Sequence, residues 1–262
     1  MNNIMGLEGN NIIGNYSLNN STIEFYGKGN ILILSDNTNL TNSRIRFTGN
    51  NSILYIDKNK MPLSLDVRLG NDSVSYIGKN VYTNKCVHIY ATERENVIIG
   101  DDCLLSYEVT FRTADPHLIY DSISKKRINS AKSILVGDHV WIGQEALILK
   151  NTKIYSGSII GGKAVISNKE VLSNTMWAGN PARKIKDDVF FISDATHDYT
   201  ESDINNSLYN YSEDFIYSGN PNDYFEDINQ QLKEEKSNTE NKILTLKKGI
   251  VYNTYKNRFA KK

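Results

Sequence analysis

The sequence predicts an all-β fold, a parallel β-helix in which short strands stack into a solenoid. The main observation is that an aliphatic residue returns every six positions in the middle of the chain. These anchors are Val136, Ile142, Ile148, Ile154, Ile160 and Ile166. Turn-forming residues follow them, as in Gly137-Asp138 and Gly161-Gly162. Each unit is therefore one short strand and one corner, and three units close a triangular coil.

The interior of such a coil is narrow, and the sequence supplies small or compact residues to fill it. Side chains alternate along a strand, so the residue four positions after an anchor is also expected to point inward. These residues are Val140, Ala146, Thr152, Ser158 and Ala164. Coils stack about 4.8 Å apart, so each strand pairs with its equivalents above and below. Trp141 lies between two inward positions and is expected to project outward.

The repeat continues toward the N-terminus with interruptions. Two runs of anchors are out of phase: Ile77, Thr83, Ile89 and Ile99, Leu105, Phe111. This offset predicts a small bulge near residues 94–96. Further upstream NSTIEFYG recurs as NSRIRFTG after 22 residues, with a weaker copy from Leu65. The solenoid is expected to run from near Asn10 to about Ser173 in roughly seven coils. The many Asn residues between the anchors suit left-handed corners and stacked ladders.

Two segments break the repeat. Residues 112–133 contain Pro116 and no six-residue anchor, which predicts a loop insertion. Residues 187–262 change in composition to Tyr, Asp and Asn, which predicts a partly α-helical C-terminal appendage to a solenoid domain of residues 10–186. Helices are expected from Pro221 to Glu235 and around Ile243 to Tyr255. A solvated appendage is the default interpretation; bracing of an oligomer, or docking of its basic end near membrane-bound machinery, are the alternatives.

Composition restricts the function. A formal net charge of zero argues against binding to nucleic acid or a membrane surface by bulk electrostatics. The N-terminal MNNIMGLEGNNIIG resembles neither a signal peptide nor a membrane span, so we expect a cytoplasmic protein that is not integral to a membrane. Cys86 and Cys103 have no CxxC spacing and are expected to be free core thiols. No spacing of histidines matches a zinc site, so no metal is expected.

The stretch from Val136 to Lys186 resembles the hexapeptide-repeat acyltransferases, with GDHVWIG near its start and AGNPARKIK at its end. Upstream, RTADPHLIY followed by VGDHVWIG is similar to the bacterial capsular polysaccharide O-acetyltransferases, which include enzymes acting on polysialic acid. The likeness covers about residues 10–186. It implies a left-handed helix, a property that the six-residue spacing alone does not reveal. It also implies acetyl-CoA as co-substrate, a homotrimer and a polysaccharide acceptor.

The resemblance assigns roles around the loop insertion. It implies that His117 is the general base and that Arg112 and Asp115 bind the acceptor, although Asp115 could instead orient the His117 ring. A lone loop histidine is usually only a surface residue, but long insertions commonly carry function. Neutral imidazole can take a proton from a sugar hydroxyl near neutral pH. Trp141 corresponds to a tryptophan beside the reactive end of acetyl-CoA; a simple subunit contact is the alternative.

The resemblance also assigns coenzyme A contacts. The residues it points to are Trp141, Gly143, Gln144, Gly162, Ser167, Arg183, Lys184 and Lys186. Glycine leaves the backbone open to the pantetheine arm, and the three basic residues suit the phosphates of the nucleotide end. Taken alone, three basic residues are more often a solvated surface.

The sequence thus predicts an acetyl-CoA-dependent O-acetyltransferase of a capsular or cell-surface polysaccharide, with polymers that contain sialic acid among the candidate acceptors. His117 would deprotonate the acceptor for direct attack, facing Trp141 of a neighbouring chain. One alternative is the same reaction on a small sugar, a nucleotide sugar or an antibiotic. Another is a noncatalytic glycan-binding solenoid, which would not bind CoA.

Overall fold

The chain winds through three sheets, called here A, B and C, and visits them in that order in every coil. The computed structural model describes residues 2–220 and 222–262. The first four coils contain β1 (Asn3–Met5), β2 (Asn11–Ile13), β3 (Tyr16–Asn19), β4 (Thr22–Phe25), β5 (Ile31–Leu34), β6 (Thr38–Thr41), β7 (Arg44–Phe47), β8 (Ile53–Ile56), β9 (Leu65–Leu69), β10 (Val74–Ile77) and β11 (Tyr82–Thr83). The later coils contain β12 (Val87–Ala91), β13 (Val97–Ile99), β14 (Leu104–Leu105), β15 (Thr110–Arg112), β16 (Ile134–Val136), β17 (Trp141–Ile142), β18 (Leu147–Leu149), β19 (Thr152–Ile154), β20 (Ile159–Ile160), β21 (Val165–Ile166), β22 (Glu170–Val171), β23 (Met176–Gly179) and β24 (Ala182–Lys186).

The sheets are parallel, as predicted. Sheet A stacks β1, β4, β7, β9, β12, β15, β18 and β21, and sheet B stacks β2, β5, β8, β10, β13, β16, β19 and β22. Sheet C begins with β3 and β6, continues through a bridge from Leu40 to Leu63, and then stacks β11, β14, β17, β20 and β23. The last strand, β24, runs antiparallel to β23 and closes sheet C. Eight strands in each long sheet give about seven turns, which confirms the predicted left-handed parallel β-helix.

The six-residue anchors fill the interior. All six are almost fully buried, as are the compact residues four positions later. Phe25 and Phe47 stack inside the earlier coils with ring centroids 4.7 Å apart. They occupy equivalent places in the 22-residue repeat, whose copies pair in register from Thr22 opposite Arg44. Cys103 is a buried free thiol, as expected, whereas Cys86 is free but only half-buried, so the prediction of a core position for Cys86 is wrong.

Asparagine serves the corners in the two ways that the sequence predicts. Left-handed backbone conformations occur at Asn20, Asn42 and Asn51, among others. A buried ladder also runs along one edge, where the Asn30 amide N donates to Asn10 Oδ1 at 2.9 Å and the Ser52 amide N donates to Asn30 Oδ1 at 2.9 Å. The bulge predicted near residues 94–96 is confirmed as a turn between β12 and β13, with Glu93 and Arg94 at positive φ.

The C-terminal segment is partly helical, as predicted. Its helices are α1 (Glu201–Asn206), α2 (Tyr224–Glu234) and α3 (Thr239–Leu246), and α3 continues into a π-helical turn (Lys247–Val251). Pro221, predicted to open the first helix, lies outside the described residues. The second predicted helix begins earlier than expected because Asn238 caps it, with its side chain accepting from the Asn241 amide. Its π-helical turn ends at Val251, before the expected Tyr255. Gly249 lies in the π turn, where an added Cβ would meet Ile228 Cγ1 at 2.9 Å.

These helices cover sheet B of their own chain. The outward side chains of sheet B form an apolar strip: Ile31, Ile33, Ile53, Tyr55, Val74, Tyr76, Ile98, Leu135 and Tyr155. The residues that pack on it are Phe225, Ile228, Leu232, Leu246, Ile250 and Phe259, all buried. Phe225 and Phe259 stack with centroids 4.2 Å apart. The solvated appendage favoured by the sequence is therefore wrong for this part of the tail, because sheet B is apolar on both faces and needs a cover.

Buried ion pairs fix the tail to the solenoid. Arg258, whose side chain is 3% exposed, binds Asp138 through Nε at 2.8 Å and Nη2 at 2.7 Å and reaches Asp101 at 2.9 Å. Lys242 donates to the carbonyl of Asp72 at 2.9 Å. The basic end of the tail also contacts the solenoid, since Lys261 binds Glu170 at 2.6 Å.

Replacing Arg258 by alanine is expected to lower the free energy of unfolding by about 3–5 kcal/mol, because the buried Asp138 and the half-buried Asp101 lose their counter-charge. Urea denaturation followed by circular dichroism measures the change. Lys236→Ala removes an exposed cation from the same tail and should change the free energy of unfolding by no more than about 0.5 kcal/mol. A loss below about 1 kcal/mol for Arg258→Ala would contradict a buried clamp.

The described residues contain neither a membrane-spanning helix nor a metal-binding cluster of side chains. No helix among them combines the length and apolarity that a membrane crossing requires. In residues 2–220 and 222–262, no group of three or more His, Cys, Asp or Glu side chains is placed to hold a metal ion.

Candidate active site

Trp141 projects from sheet C, as predicted. It is the first residue of β17, between the inward Val140 and Ile142, and its side chain is 39% exposed. In the parallel register Leu104 lies beside it on the previous coil and Ile159 on the next coil. The outward side of sheet C thus carries apolar side chains in successive coils, with the indole at its centre.

The corner before Trp141 is held by the C-terminal tail. His139 has a left-handed backbone with φ of 51° and is buried between the rings of Phe191 and Phe215, each with its centroid 4.0 Å away. The Phe191 carbonyl accepts a hydrogen bond from His139 Nε2 at 2.9 Å. Burial lowers the pKa of His139, which favours the neutral ring. These contacts give His139 a structural place next to Trp141.

The loop insertion leaves the solenoid at the corner between sheets A and B. It comprises residues 113–133, between β15 and β16, and will be called the His117 loop. Its two halves meet at an antiparallel bridge between Tyr120 and Arg127. Arg127 also binds Glu93 of the solenoid corner at 2.7 Å. The loop is therefore tied both to itself and to the coil beneath it.

Asn129 connects the two halves near His117. Its Nδ2 donates to the His117 carbonyl at 2.7 Å and to Asp115 Oδ2 at 3.0 Å, and its Oδ1 accepts from the Ile119 amide at 2.9 Å. The backbone on both sides of His117 is fixed in this way, while the residue itself is exposed. An exposed imidazole on a hydrogen-bonded stretch of backbone is suited to proton transfer with a ligand.

Asp115 takes part in the same network. Lys150 Nζ donates to Asp115 Oδ2 at 2.6 Å, and this hydrogen bond lowers the pKa of the carboxyl group. The ionised Asp115 thus pins the loop to the coil that follows it. Oδ2 is engaged by Lys150 and Asn129, not by the His117 imidazole, so the structure of one chain gives no support to an orienting role for Asp115.

Arg112 ends β15 at the base of the loop. It is half-buried and points outward on sheet A, where its guanidinium lies 5.3 Å from the ring centroid of Tyr90. Arg68 approaches the same ring at 5.8 Å. Arg112 therefore lies on a cationic part of sheet A close to the start of the His117 loop.

Three of the predicted coenzyme A residues follow Trp141 on one edge. Gly143, Gln144 and Gly162 lie at the corner between sheets C and A in consecutive coils. Gly143 is buried, and an added Cβ would lie 2.5 Å from the Gly162 amide N, so glycine is required there by coil stacking. Gln144 and Gly162 are exposed, and because Gly162 has no side chain its exposed surface is backbone.

The three basic residues continue the same series. Arg183, Lys184 and Lys186 lie on β24, which pairs with β23 at the end of sheet C, and all are exposed. Lys184 binds Asp187 at 2.8 Å. A ligand that starts at Trp141 and runs toward the last coils would therefore meet Gly162 and then these cations.

The predicted residues form two groups on different sides of the triangular prism. Trp141 and the residues after it lie on sheet C, whereas His117 and Asp115 lie at the opposite corner, between sheets A and B. Ser167 follows β21 at that same A–B corner, so one chain does not bring it to Trp141. Within one chain the catalytic candidate and the thioester candidate are therefore apart.

Sequence reasoning missed several residues of these two groups. Asn129 and Lys150 hold the loop, and Phe191 and Phe215 hold the His139 corner. None of them belongs to a motif. Only the position of Lys150 could have been used to predict its contact with the loop. Lys150 lies at a corner two residues after the anchor Ile148, in the coil that follows the loop.

Comparisons with known proteins agree with this architecture. No family model matches the chain. The polysialic acid O-acetyltransferase of Escherichia coli O1:K1 / APEC is 39% identical over 84 residues, which are 32% of this chain and 24% of that protein. The polysialic acid O-acetyltransferase of Neisseria meningitidis is 39% identical over 62 residues, 24% of this chain and 29% of that protein. The chain thus spans about a quarter of the length of these curated relatives.

Solved structures extend the likeness over most of the solenoid. The crystal structure of the polySia-specific acetyltransferase NeuO is 30% identical, with a TM-score of 0.64, and the match covers 73% of this chain and 93% of that chain. The polysialic acid O-acetyltransferase OatWY is 23% identical, with a TM-score of 0.51, over 80% of this chain and 100% of that chain. The second likeness concerns the fold alone.

Proposed function

The chain belongs to the hexapeptide-repeat acetyltransferases, which fold as left-handed β-helices, and on this basis we propose that it transfers an acetyl group from acetyl-CoA to a hydroxyl of a bacterial capsular or cell-surface polysaccharide. The observation that carries the proposal is the exposed His117 on a cross-linked loop, together with an outward Trp141 whose sheet ends in exposed cations. The similarity of the chain to polysialic acid O-acetyltransferases makes a polymer that contains sialic acid the first acceptor to test.

The proposed chemistry is a direct transfer. His117 takes the proton of the acceptor hydroxyl as the oxygen attacks the thioester carbonyl carbon beside Trp141. A backbone amide stabilises the oxyanion of the tetrahedral intermediate. When the C–S bond breaks, the imidazolium returns its proton to the CoA thiolate, so acetylated acceptor and CoA are released and His117 is neutral again. No covalent acyl-enzyme is required.

We propose that acetyl-CoA lies along sheet C on the later-coil side of Trp141. The exposed backbone of Gly162 can contact the pantetheine arm, and Lys184 and Lys186 on β24 suit the phosphates. Ser167, at the A–B corner, would reach the cofactor only from a neighbouring chain. A cytoplasmic location follows from the use of acetyl-CoA, which is a metabolite of that compartment.

The proposed assembly is a homotrimer with shared active sites. His117 and Trp141 lie on different sides of one chain, so each site needs the loop of one chain and sheet C of the next. The His117 loop also exposes apolar side chains that a partner would cover, among them Ile123, which is 90% exposed, and Ile128. Tail helices occupy sheet B, so sheets A and C and their corners remain for subunit contacts.

Two other functions are compatible with the fold. The same reaction on a small sugar, a nucleotide sugar or an antibiotic would give a KM that does not fall as the acceptor grows longer. A noncatalytic glycan-binding solenoid would show no affinity for CoA. The cations on β24 favour the enzyme, because a glycan-binding surface alone does not require a phosphate site at the end of sheet C.

Calorimetric titration tests the cofactor proposal. The wild-type protein is expected to bind acetyl-CoA, and the double variant Lys184→Ala/Lys186→Ala should raise the Kd about tenfold, since charge-assisted contacts to phosphate are lost. Lys236→Ala/Lys248→Ala removes two exposed cations from the tail and should leave the Kd unchanged. Absence of heat with the wild-type protein would reject the enzyme, and an unchanged Kd in the first variant would reject β24 as the phosphate site.

A further inference from the structure

Sheet C carries a groove on the other side of Trp141, toward the earlier coils. Its volume is about 850 Å³, within the range of small-molecule sites. Its floor is formed by Trp141, Leu104 and Tyr82, which lie side by side on successive coils. The Tyr82 side chain is 41% exposed and presents its ring to the groove. We call this space the tail groove, because the tail forms its second wall.

Residues 192–197 form the second wall and follow Phe191, which stacks on His139. Hydrogen bonds to Asn174 hold the tail near this wall. Asn174 Nδ2 donates to the carbonyls of Val189 and Phe215, each at 2.9 Å, and the Val189 amide donates to the Asn174 carbonyl at 2.9 Å. The wall therefore stands at a defined distance from sheet C in each chain.

The polar groups of the tail groove include those that bind sugar hydroxyls, beside the charged side chains of Lys60, Asp102 and Asp194 and the imidazole of His197. Amide and hydroxyl side chains come from the solenoid at Asn80, Asn84 and Ser106 and from the tail at Ser193 and Thr196. Such groups both donate and accept hydrogen bonds, as sugar hydroxyls do. The aromatic floor suits the apolar face of a pyranose ring. The lining thus combines the two chemistries that a carbohydrate needs.

We propose that the tail groove holds the acceptor glycan, with a sugar ring packed on Tyr82 and the reactive hydroxyl next to Trp141. This inference rests on the acetyltransferase proposed above. Residues assigned to CoA lie on the later-coil side of Trp141, so the groove on the earlier-coil side is the free approach to the thioester. Donor and acceptor then meet at the indole from opposite directions along sheet C, and the tail becomes part of the acceptor site.

A segment of a neighbouring chain is the other conceivable occupant. The apolar end of the His117 loop is the candidate, but the amide and hydroxyl groups along the tail groove would lose their hydrogen bonds to water against such side chains. A glycan satisfies these groups. The glycan is therefore the occupant that the lining favours.

The test compares Tyr82→Ala with Tyr26→Ala, which removes another exposed tyrosine from a different corner of the solenoid. Acetyl transfer is measured with oligomers of polysialic acid and with neutral maltooligosaccharides as acceptors. With whichever of the two acceptor series the wild type acetylates faster, Tyr82→Ala is expected to raise the acceptor KM about tenfold, because a ring-stacking contact is lost. The KM for acetyl-CoA and the mass by light scattering should stay unchanged, and Tyr26→Ala should match the wild type.

A second variant, Ala195→Trp, places a large side chain on the tail wall and changes no residue of the solenoid. It is expected to weaken binding of the same acceptor, measured by saturation-transfer NMR, at unchanged affinity for acetyl-CoA. An unaltered acceptor KM in Tyr82→Ala together with unaltered acceptor binding in Ala195→Trp, in an active enzyme, would overturn the groove assignment alone. A reduced oligomer mass in Tyr82→Ala would assign the groove to a subunit contact, and a wild type that binds acetyl-CoA but acetylates neither series would reject the glycan. Failure of the wild type to bind acetyl-CoA would instead reject the proposed function.

Discussion

Replacing His117 by alanine is expected to lower the rate of acetyl transfer by about 10²–10⁴-fold, because the acceptor hydroxyl loses its general base. The affinity for acetyl-CoA should not change, since the assigned cofactor residues lie on sheet C and His117 lies at the A–B corner. A spectrophotometric assay of released CoA thiol measures the rate, and calorimetry measures the affinity.

The loop provides its own control for this experiment. Lys126→Ala changes an exposed residue of the same loop and leaves Asn129, which fixes the His117 backbone, in place. It is expected to keep wild-type turnover. If His117→Ala also kept the full rate, the general-base assignment would be lost, whereas a parallel loss of acetyl-CoA binding would indicate a cofactor contact and not a proton transfer.

Mixing two inactive variants is expected to restore activity. His117→Ala and Trp141→Ala should each be impaired as pure proteins, because every shared site then lacks one of its two rings. In every trimer that contains both variants, one site of the three should combine an intact loop with an intact sheet C, because one contact in the ring joins the loop of a Trp141→Ala chain to sheet C of a His117→Ala chain. Co-expression with two affinity tags isolates these mixed trimers.

The recovered rate distinguishes shared sites from sites within one chain. The isolated mixed trimers should reach about one third of the wild-type rate, because one of their three sites is intact. Co-expression of His117→Ala with wild type provides the reference for subunit mixing. Activity no higher than the sum of the two pure variants, in trimers shown to contain both tags, would contradict the shared site.

The interior of the solenoid could be predicted from sequence because its constraint is local and repeated. Each anchor such as Ile142 or Ile160 meets the same narrow core, so the same side-chain type returns at a fixed interval. The His117 loop was visible for the opposite reason, as a stretch where that interval fails. The outward position of Trp141 followed directly from its inward neighbours.

Contacts between the solenoid and the tail could not be predicted in the same way. Arg258 and Asp138 are 120 residues apart, and nothing near either one indicates the other. The sequence nevertheless indicated that another layer covers sheet B, since strands such as β8 are apolar at every position. Strands of this kind are buried on both faces, but the sequence does not say which segment supplies the second layer.

The loop geometry was also beyond the sequence. Asp115 lies two residues before His117, and this proximity in the motif suggested that the two side chains pair. Asp115 instead pairs with Lys150, which lies at a corner of the coil that follows the loop. The separation of His117 from Trp141 likewise depends on which corner each occupies, a property of the winding and not of either motif.

The cover on sheet B has a consequence for how the protein can be made and shortened. A fragment that stopped at Lys186 would keep every coil, yet it would leave the strip from Ile31 to Tyr155 bare on a row of parallel strands. Exposed apolar strands of this sort associate with one another and aggregate. Such a minimal solenoid should therefore precipitate during expression, and a soluble version would need polar substitutions along that strip.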